Sequence, residues 1–307
     1  MLISILANLV VLYGLISWPV IMTQVIDLSV IDHQLNTRLI ESVYRPEAPY
    51  RSNSVSLGIK ITAASAIIAD KKTKAVLWQK NSGETRSIAS ITKLITALVF
   101  LDHNPGWDGE VIIQDSDYRE GGRIRVFSGE RILAKDLFNA MLVASSNNSA
   151  VALARATGFS REEFVSLMNN KALELGMNDS VFVEPTGLDP QNVSTAADVI
   201  RLAAAALDRP EISAATSQSE YTFSVLNTDR TYTLKNTDRL LNSYLEIKSG
   251  KTGYLDEAGY CLVSNVRGPN GQEVLVAVLG SESEVSRFQE VKALAQWAYD
   301  NYIWPMK

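Results

Sequence analysis

The sequence predicts an α+β fold in which strands from both ends of residues 59–304 form one antiparallel sheet. Three observations carry this prediction. Apolar runs typical of strands fill residues 59–81 and 221–280, segments with helical periodicity lie between them, and one long amphipathic helix follows. We therefore expect an antiparallel sheet flanked by helices, with an all-helical subregion contributed by the middle of the chain.

The first half of this region is predicted to open with a β-hairpin. Residues 59–70 and 74–81 are strand-like on either side of a polar Lys-Lys-Thr turn. Ser160 and Glu163 have the spacing of a capping box, which marks the start of a helix. The elements predicted after the hairpin are a helix over 90–103, short strands over 109–114 and 122–130, and helices over 134–146, 147–157 and 160–176.

The second half is predicted to return to strands and then to end in a helix. A helix over 194–207 should stop before Pro210. Strands are predicted over 221–225, 231–236, 245–254, 258–267 and 273–280. The final helix, over 283–302, has one apolar stripe formed by Phe288, Val291, Leu294, Ala298 and Tyr302.

The N-terminal residues 1–26 contain no charged side chain and are long enough to cross a bilayer. No small-x-small cleavage site follows them, so we expect an uncleaved membrane anchor. A signal peptide cut at an unusual site and a buried core helix are the alternatives. Residues 27–58 are polar, with several Pro and Ser, and predict a linker to a globular domain over 59–304.

Composition excludes several kinds of site. The net charge is −5 and no basic stripe is present, which argues against nucleic acid as a partner. Cys261 is the only cysteine, so no intrachain disulfide can form, and its strand-like surroundings predict a buried, inert thiol. The two histidines, His33 and His103, lie in the linker and at a helix exit. The base of any nucleophile is therefore expected to be another residue type.

Ser90 and Lys93 form the first candidate cluster. On a helix, residues at i and i+3 share a face with Cβ atoms roughly 5–6 Å apart. Ser90 would lie at the helix N-terminus, where backbone N–H groups stabilise negative charge. A buried lysine can act as a base because burial lowers its pKa. A serine N-cap beside an exposed lysine explains the same pair without chemistry.

Two further clusters follow downstream. Ser145, Ser146 and Asn147 separate two apolar helical segments, so they form either a helix–helix corner or a loop that points into a cleft. The run Lys251-Thr252-Gly253 ends a predicted strand, where it would suit a substrate carboxylate or, alternatively, a solvated strand edge. Lys248-Ser249-Gly250 has the same K-[ST]-G pattern, and the downstream "DEAGYCL" favours Lys251.

The order S-x-x-K, S-x-N and K-T-G is typical of serine acyl-transferases that recognise penicillin. With "AIIADKKTKAVLWQKN", "EPTGLDPQNVSTAADV" and "KTGYLDEAGYCL", the chain resembles the low-molecular-mass penicillin-binding proteins, the D-alanyl-D-alanine carboxypeptidases and endopeptidases. The resemblance runs from about residue 59 to 302. It implies the fold shared by β-lactamases and DD-peptidases.

The resemblance also implies roles for single residues. Ser90 is the nucleophile, Lys93 takes its proton, and Ser145 relays a proton to the leaving amine. The backbone N–H groups of Ser90 and Tyr254 form the oxyanion hole. The implied substrate-binding residues are Asn147, Lys251, Thr252, Gly253 and Tyr254. No metal or other cofactor is implied.

The implied function is a serine-type D-Ala-D-Ala carboxypeptidase or DD-endopeptidase that acts on peptidoglycan stem peptides and is inhibited by β-lactams. The catalytic domain would lie outside the cytoplasm, held to the membrane by the N-terminal segment. Single-domain length favours the endopeptidase branch without deciding it. The alternatives are a β-lactamase with Glu184 as deacylating base, and a non-catalytic penicillin sensor or wall-binding protein. The oligomeric state is not predicted.

Overall fold

The computed structural model describes residues 46–52, 56, 58–119 and 126–305. The predicted anchor and most of the predicted linker lie outside these residues. Within them, no helix is both long enough and apolar enough to cross a membrane.

Strands gather mainly in the C-terminal third of the chain. They are β1 Tyr50–Arg51, β2 Ser65–Asp70, β3 Val76–Lys80, β4 Arg86–Ser87, β5 Glu110–Ile112, β6 Arg131–Leu133, β7 Val193–Ser194, β8 Glu220–Ser224, β9 Thr231–Lys235, β10 Glu246–Leu255, β11 Gly259–Arg267, β12 Glu273–Ser281 and β13 Tyr302–Ile303.

Helices fill the middle of the chain, as predicted. They are α1 Lys93–Asp102, α2 Ala134–Val143, α3 Asn147–Ala156, α4 Arg161–Glu174, α5 Ala196–Ala206, α6 Pro210–Ser217 and α7 Glu284–Asn301. The capping box at Ser160 and Glu163 is present and begins α4. Short 3₁₀ turns span Ala89–Thr92, Asp115–Asp117 and Arg239–Asn242.

One five-stranded antiparallel sheet carries the fold, in the order β10-β11-β12-β2-β3. The N-terminal hairpin of β2 and β3 joins the C-terminal strands through the β12–β2 pairing. The expected antiparallel sheet made from both ends of the domain is therefore confirmed. The hairpin of β8 and β9 forms a separate two-stranded sheet.

The two faces of the sheet contribute to two apolar cores. Ile67 and Ala69 of β2 pack with α1, α2 and α5, whereas Ala66 and Ile68 pack with α7. This alternation follows from the period of two in a strand. The central strand β12 is buried on both faces, which explains its continuous apolar run.

Several predicted boundaries were wrong. Residues 59–64 are not a strand, because the Glu290 carboxylate accepts the N–H groups of Thr62 and Ala63 that a neighbouring strand would otherwise pair. Residues 126–130 are also not a strand. They form a turn in which Glu130 accepts the Phe127 N–H at 2.8 Å, and the strand that pairs with β5 is β6.

Helix ends also differ from the prediction. The α-helix expected from Ser90 begins at Lys93, after a 3₁₀ turn. The sequence does not predict helix α6. Pro210 marks the end of the helix before it, but proline also suits the first turn of a new helix. The last helix ends at Asn301, so Tyr302 lies in β13.

The strand β1 belongs to the stretch predicted as a linker. Tyr50 pairs with Ile303 and Arg51 with Tyr302. The indole N–H of Trp297 also donates to the Ser56 hydroxyl at 2.8 Å. Residues just before the predicted domain boundary therefore contact the last helix and strand.

Candidate active site

The turn that carries Ser90 is held between two glycines. Ala89 has a φ of +48°, a left-handed conformation that costs a non-glycine residue roughly 1–2 kcal/mol. A Cβ on Gly187 would lie 2.0 Å from the Ala89 carbonyl oxygen, and one on Gly253 would lie 2.8 Å from the Ile88 carbonyl oxygen. Only glycine at 187 and 253 lets the two chain segments close on this turn.

Lys93 lies one turn further on and is fully buried. Its Nζ atom lies 3.0 Å from the Ser90 Oγ and donates to the Asn147 Oδ1 at 2.7 Å and to the Thr186 carbonyl oxygen. A neutral amine has two N–H donors and one lone pair. The carbonyl oxygens of Asn147 and Thr186 take the two donors, which leaves the lone pair for the Ser90 hydroxyl.

Burial lowers the pKa of Lys93 to about 7, against an attraction from Glu184 that raises it. An amine with this pKa is neutral in about half of the protein molecules at pH 7, and a neutral amine can accept a proton. The structure therefore places the Lys93 amine within hydrogen-bond distance of the Ser90 hydroxyl and buries it completely.

Glu184, the residue that a β-lactamase reading would make the deacylating base, organises the loop beside Lys93. Its Oε2 accepts both the backbone N–H and the hydroxyl of Thr186, at 2.7 and 2.6 Å. Its Oε1 accepts backbone N–H groups of Gly187 and Leu188 and the Asn192 amide. Because both oxygens are occupied by loop donors, the carboxylate shapes the turn that presents the Thr186 carbonyl to Lys93.

Ser145 lies in the turn between α2 and α3, and Asn147 is the first residue of α3. Ser145 has a φ of +56°, which ends the preceding helix and turns the chain. Ser146 caps α3, because its hydroxyl accepts the Ser149 N–H at 3.3 Å. The cluster is therefore a helix–helix corner from which Ser145 and Asn147 line one cavity, and its middle serine caps α3.

Lys251 is the second buried lysine of the site. Its Nζ atom donates to the Ser145 hydroxyl and to the Thr252 carbonyl oxygen, both at 2.9 Å. Burial lowers its pKa well below 10.5, and a positive charge on Lys93 or Arg287 lowers it further. Lys248 instead pairs with Glu246 at the surface. The structure therefore brings the second K-[ST]-G copy to Ser145, as the sequence favoured.

Most of the predicted site residues line one cavity of about 890 Å³. The Thr252 hydroxyl is 2.6 Å from that of Thr237. Tyr254 stacks on Tyr260 with ring centroids 4.3 Å apart. The predicted residues that line the cavity are Ser90, Ser145, Asn147, Thr252, Gly253 and Tyr254. Among the described residues, no group of three His, Cys, Asp or Glu side chains could hold a metal ion.

Sequence reasoning missed three contributors to the site. The Thr186 carbonyl accepts from Lys93, and a backbone atom leaves no trace in residue type. Arg287 lines the cavity and donates from Nη1 to the Gly253 carbonyl oxygen at 2.9 Å. Asp238 is a buried carboxyl close to Lys251 and Arg287. Of the three, only Arg287 could be recognised in the sequence, as a charged residue in the first turn of a helix with an apolar stripe.

Away from the cavity, Cys261 is buried in β11, as expected. Burial raises the pKa of its thiol to about 11, so it is unreactive at neutral pH.

Comparison with known proteins agrees with this geometry. A D-alanyl-D-alanine endopeptidase of Pseudomonas aeruginosa is 34% identical over 241 residues, covering 78% of this chain and 77% of that protein. The D-alanyl-D-alanine carboxypeptidase DacF of Bacillus subtilis is 33% identical over 248 residues, covering 78% of this chain and 63% of that protein.

A solved structure has the same fold. The DD-transpeptidase of Streptomyces K15 superimposes with a TM-score of 0.76 and 26% identity, covering 80% of this chain and all of that one. Peptidase family S11, described as D-alanyl-D-alanine carboxypeptidase, matches residues 51–283. The resemblance inferred from the motifs is thereby confirmed: this chain belongs to the D-alanyl-D-alanine carboxypeptidase family of serine peptidases.

Proposed function

We propose that this chain is a serine-type DD-peptidase that cleaves D-Ala-D-Ala-type bonds in peptidoglycan stem peptides through an acyl-enzyme on Ser90. The observation that carries the proposal is the buried Lys93 amine, which lies 3.0 Å from the Ser90 hydroxyl with its other two contacts made to carbonyl oxygens. This arrangement leaves a lone pair free to take the hydroxyl proton.

Acylation begins when the Ser90 Oγ attacks the carbonyl carbon of the scissile peptide bond, while its proton passes to Lys93. The carbonyl oxygen becomes an oxyanion, which the backbone N–H groups of Ser90 and Tyr254 stabilise. The C–N bond then breaks, and the proton held by Lys93 passes through the Ser145 hydroxyl to the leaving amine, which restores the neutral lysine. Ser145 is suited to this step because its hydroxyl accepts from Lys251 at 2.9 Å. Water then hydrolyses the ester and restores Ser90.

The terminal carboxylate of the substrate binds to Lys251 and Thr252. The two residues lie on one strand, and Thr252 lines the cavity beside Ser145. Asn147 contacts Lys93 and lines the same cavity, so it positions both the base and the substrate. β-Lactams carry a carboxylate and a strained amide in a similar arrangement, so they acylate Ser90.

Within this activity, the endopeptidase branch is favoured by identity. The endopeptidase relatives are 33–35% identical to this chain, and the carboxypeptidase relatives are 27–33% identical. The catalytic domain acts outside the cytoplasm, and the charge-free residues 1–26 anchor it to the membrane.

Labelling with fluorescent penicillin tests the nucleophile. Wild type and the control Ser217→Ala, which changes an exposed serine of α6, should be labelled equally, whereas Ser90→Ala should not be labelled. Folding of all three is checked by circular dichroism. Absence of Ser90-dependent label in folded protein would refute the proposal.

The fate of the label separates the alternatives. Label that persists supports a DD-peptidase, and label lost within seconds indicates a β-lactamase. Wild type is then incubated with a pentapeptide ending in D-Ala-D-Ala and with a crosslinked muropeptide dimer. Cleavage of the dimer identifies an endopeptidase, and release of D-alanine from the pentapeptide identifies a carboxypeptidase. Stable label without cleavage of either substrate indicates a sensor.

A further inference from the structure

A pair of threonine hydroxyls lies at the cavity, and only one of the two belongs to a sequence motif. Thr252 is the middle residue of the K-T-G run, and its Oγ1 lies 2.6 Å from the Oγ1 of Thr237. Thr237 comes from the segment that follows β9, outside all three motifs. Both residues line the cavity together with Ser90 and Ser145. Thr237 is therefore placed where it can act on a bound substrate.

Hydrogen bonds to two helices fix the segment that carries Thr237. Its backbone N–H donates to the carbonyl oxygen of Val143, the last residue of α2, at 3.1 Å. The preceding residue, Asn236, donates from its side-chain amide to the carbonyl oxygens of Thr216 and Gln218 at the end of α6, at 3.2 and 2.7 Å. These contacts hold the Thr237 hydroxyl at one position beside strand β10.

The two hydroxyls leave one hydrogen-bond donor for a ligand. Each threonine hydroxyl has one proton and can accept as well as donate. One of the two protons lies between the oxygens of Thr237 and Thr252, and neither hydroxyl has a second partner within the part of the chain that the structure describes. The other proton is therefore available to an acceptor in the cavity. A hydroxyl that accepts a hydrogen bond is polarised by it and becomes a stronger donor.

We propose that Thr237 is a positioning residue for substrate binding: its hydroxyl donates to the Thr252 hydroxyl and thereby directs the Thr252 proton toward the terminal carboxylate of the substrate. This inference rests on the proposed function, in which that carboxylate binds to Lys251 and Thr252. Hydrogen bonds to charged groups are stronger than those between neutral groups. A misdirected Thr252 proton should therefore weaken the binding of a carboxylate much more than that of an uncharged ester.

The test compares acylation by a penicillin that has a free carboxylate with acylation by the methyl ester of the same penicillin. Competition with fluorescent penicillin measures both second-order rate constants in each variant. In Thr237→Val, which keeps the shape and the backbone N–H of threonine, the constant for the free acid should fall about tenfold. The constant for the ester should stay within about twofold of wild type. A merely structural residue would lower both constants by the same factor.

Thr222→Val is the matched control, because it removes one hydroxyl of another threonine pair. The Thr222 and Thr233 hydroxyls lie 2.9 Å apart across the β8–β9 hairpin, and Thr222 is exposed. Its ratio of the two constants should equal that of wild type. Thr237→Ser retains the hydroxyl and should keep the free-acid constant within about threefold of wild type. Adding Thr237→Val to Thr252→Val should cause little further loss, because Thr237 acts through Thr252.

The outcomes separate this inference from the proposed function. Folded wild type without Ser90-dependent label would overturn the proposed function itself. Normal wild-type labelling with an equal fall of both constants in Thr237→Val, or with no fall of either, would overturn the inference alone. Circular dichroism checks folding, and Thr237→Ala takes the place of Thr237→Val if the valine variant does not fold. Failure of both variants to fold would also overturn the inference, because the hydroxyl would then be structural.

Discussion

The two buried lysines of the site lie in different surroundings. Lys93 contacts three oxygen atoms and has Glu184 as its nearby carboxylate. Lys251 contacts two oxygen atoms, and a positive charge on Lys93 or Arg287 lowers its pKa further. Both lysines lose the hydration that normally favours the charged form.

The difference teaches how one fold obtains two functions from one residue type. The three oxygens around Lys93 match the two donors and one lone pair of a neutral amine, which suits a base. In the proposed mechanism, Lys251 lies beside the cavity that binds the substrate carboxylate, which would supply the negative charge that Lys251 lacks. The surroundings therefore separate a base from an anion-binding group.

Replacing Lys93 should have the largest effect. In Lys93→Met the Ser90 hydroxyl has no base, so we expect the rate constant for penicillin acylation to fall about 10³-fold, within the range of general-base catalysis. Stopped-flow or gel-based labelling measures this constant. Lys248→Met is the control and should stay within about twofold of wild type, because its lysine pairs with Glu246 at the surface. A loss below tenfold in Lys93→Met would mean that another group is the base.

The acylation rate of the wild type should depend on pH through Lys93, and this change should be smaller than the loss expected for Lys93→Met. Since the pKa of Lys93 is lowered to about 7, its neutral fraction falls about 100-fold between the plateau and pH 5. The acylation rate should therefore rise with pH through about pH 7. A profile that is flat from pH 5 to 8 would contradict the assignment of Lys93 as the base.

The same shift affects stability. The pKa of Lys93 is lower in the folded chain than its ordinary value of 10.5, so the unfolded chain binds more protons between pH 7 and 10.5. The contribution of Lys93 to the free energy of unfolding should rise with pH across this window and level off below about pH 7, where both states are protonated. Lys93→Met should flatten this part of the stability curve, which denaturant titrations at several pH values would measure.

Glu184→Gln should have the smallest effect on acylation and an effect on folding. A glutamine amide presents N–H groups where the carboxylate now accepts the Thr186 or Gly187 N–H. The unmatched donors should lower the free energy of unfolding by about 2–3 kcal/mol. Because the Thr186 carbonyl then moves relative to Lys93, acylation should slow by about tenfold. Urea unfolding and penicillin labelling measure the two effects.

The outcome also tests the role that a β-lactamase would give to Glu184. Normal acylation with slow loss of the label in Glu184→Gln would make the carboxylate a deacylating base and would contradict a structural role. Gln191, which lies exposed beyond the same loop, offers a control at Gln191→Glu that should leave both quantities unchanged.

Local patterns were enough to predict much of the fold. The apolar runs of β2, β11 and β12 and the stripe of α7 follow the periods of strands and helices, so their existence could be read directly. The predicted strand was wrong where a side chain distant in the sequence binds the backbone N–H groups that a neighbouring strand would otherwise pair. Glu290 takes the N–H groups of residues 62–63, and nothing within residues 59–70 indicates this.

The sequence by itself determined the three motifs, their order and the family, because residue type and spacing carry that information along the chain. Only the tertiary structure decided that Lys93 is enclosed by Asn147 and Thr186, and that Lys251 contacts Ser145. The physical reason is that charge state depends on burial and on neighbouring charges, which here come from segments far apart in the chain. A lysine therefore becomes a base or an anion-binding group only after the chain has folded around it.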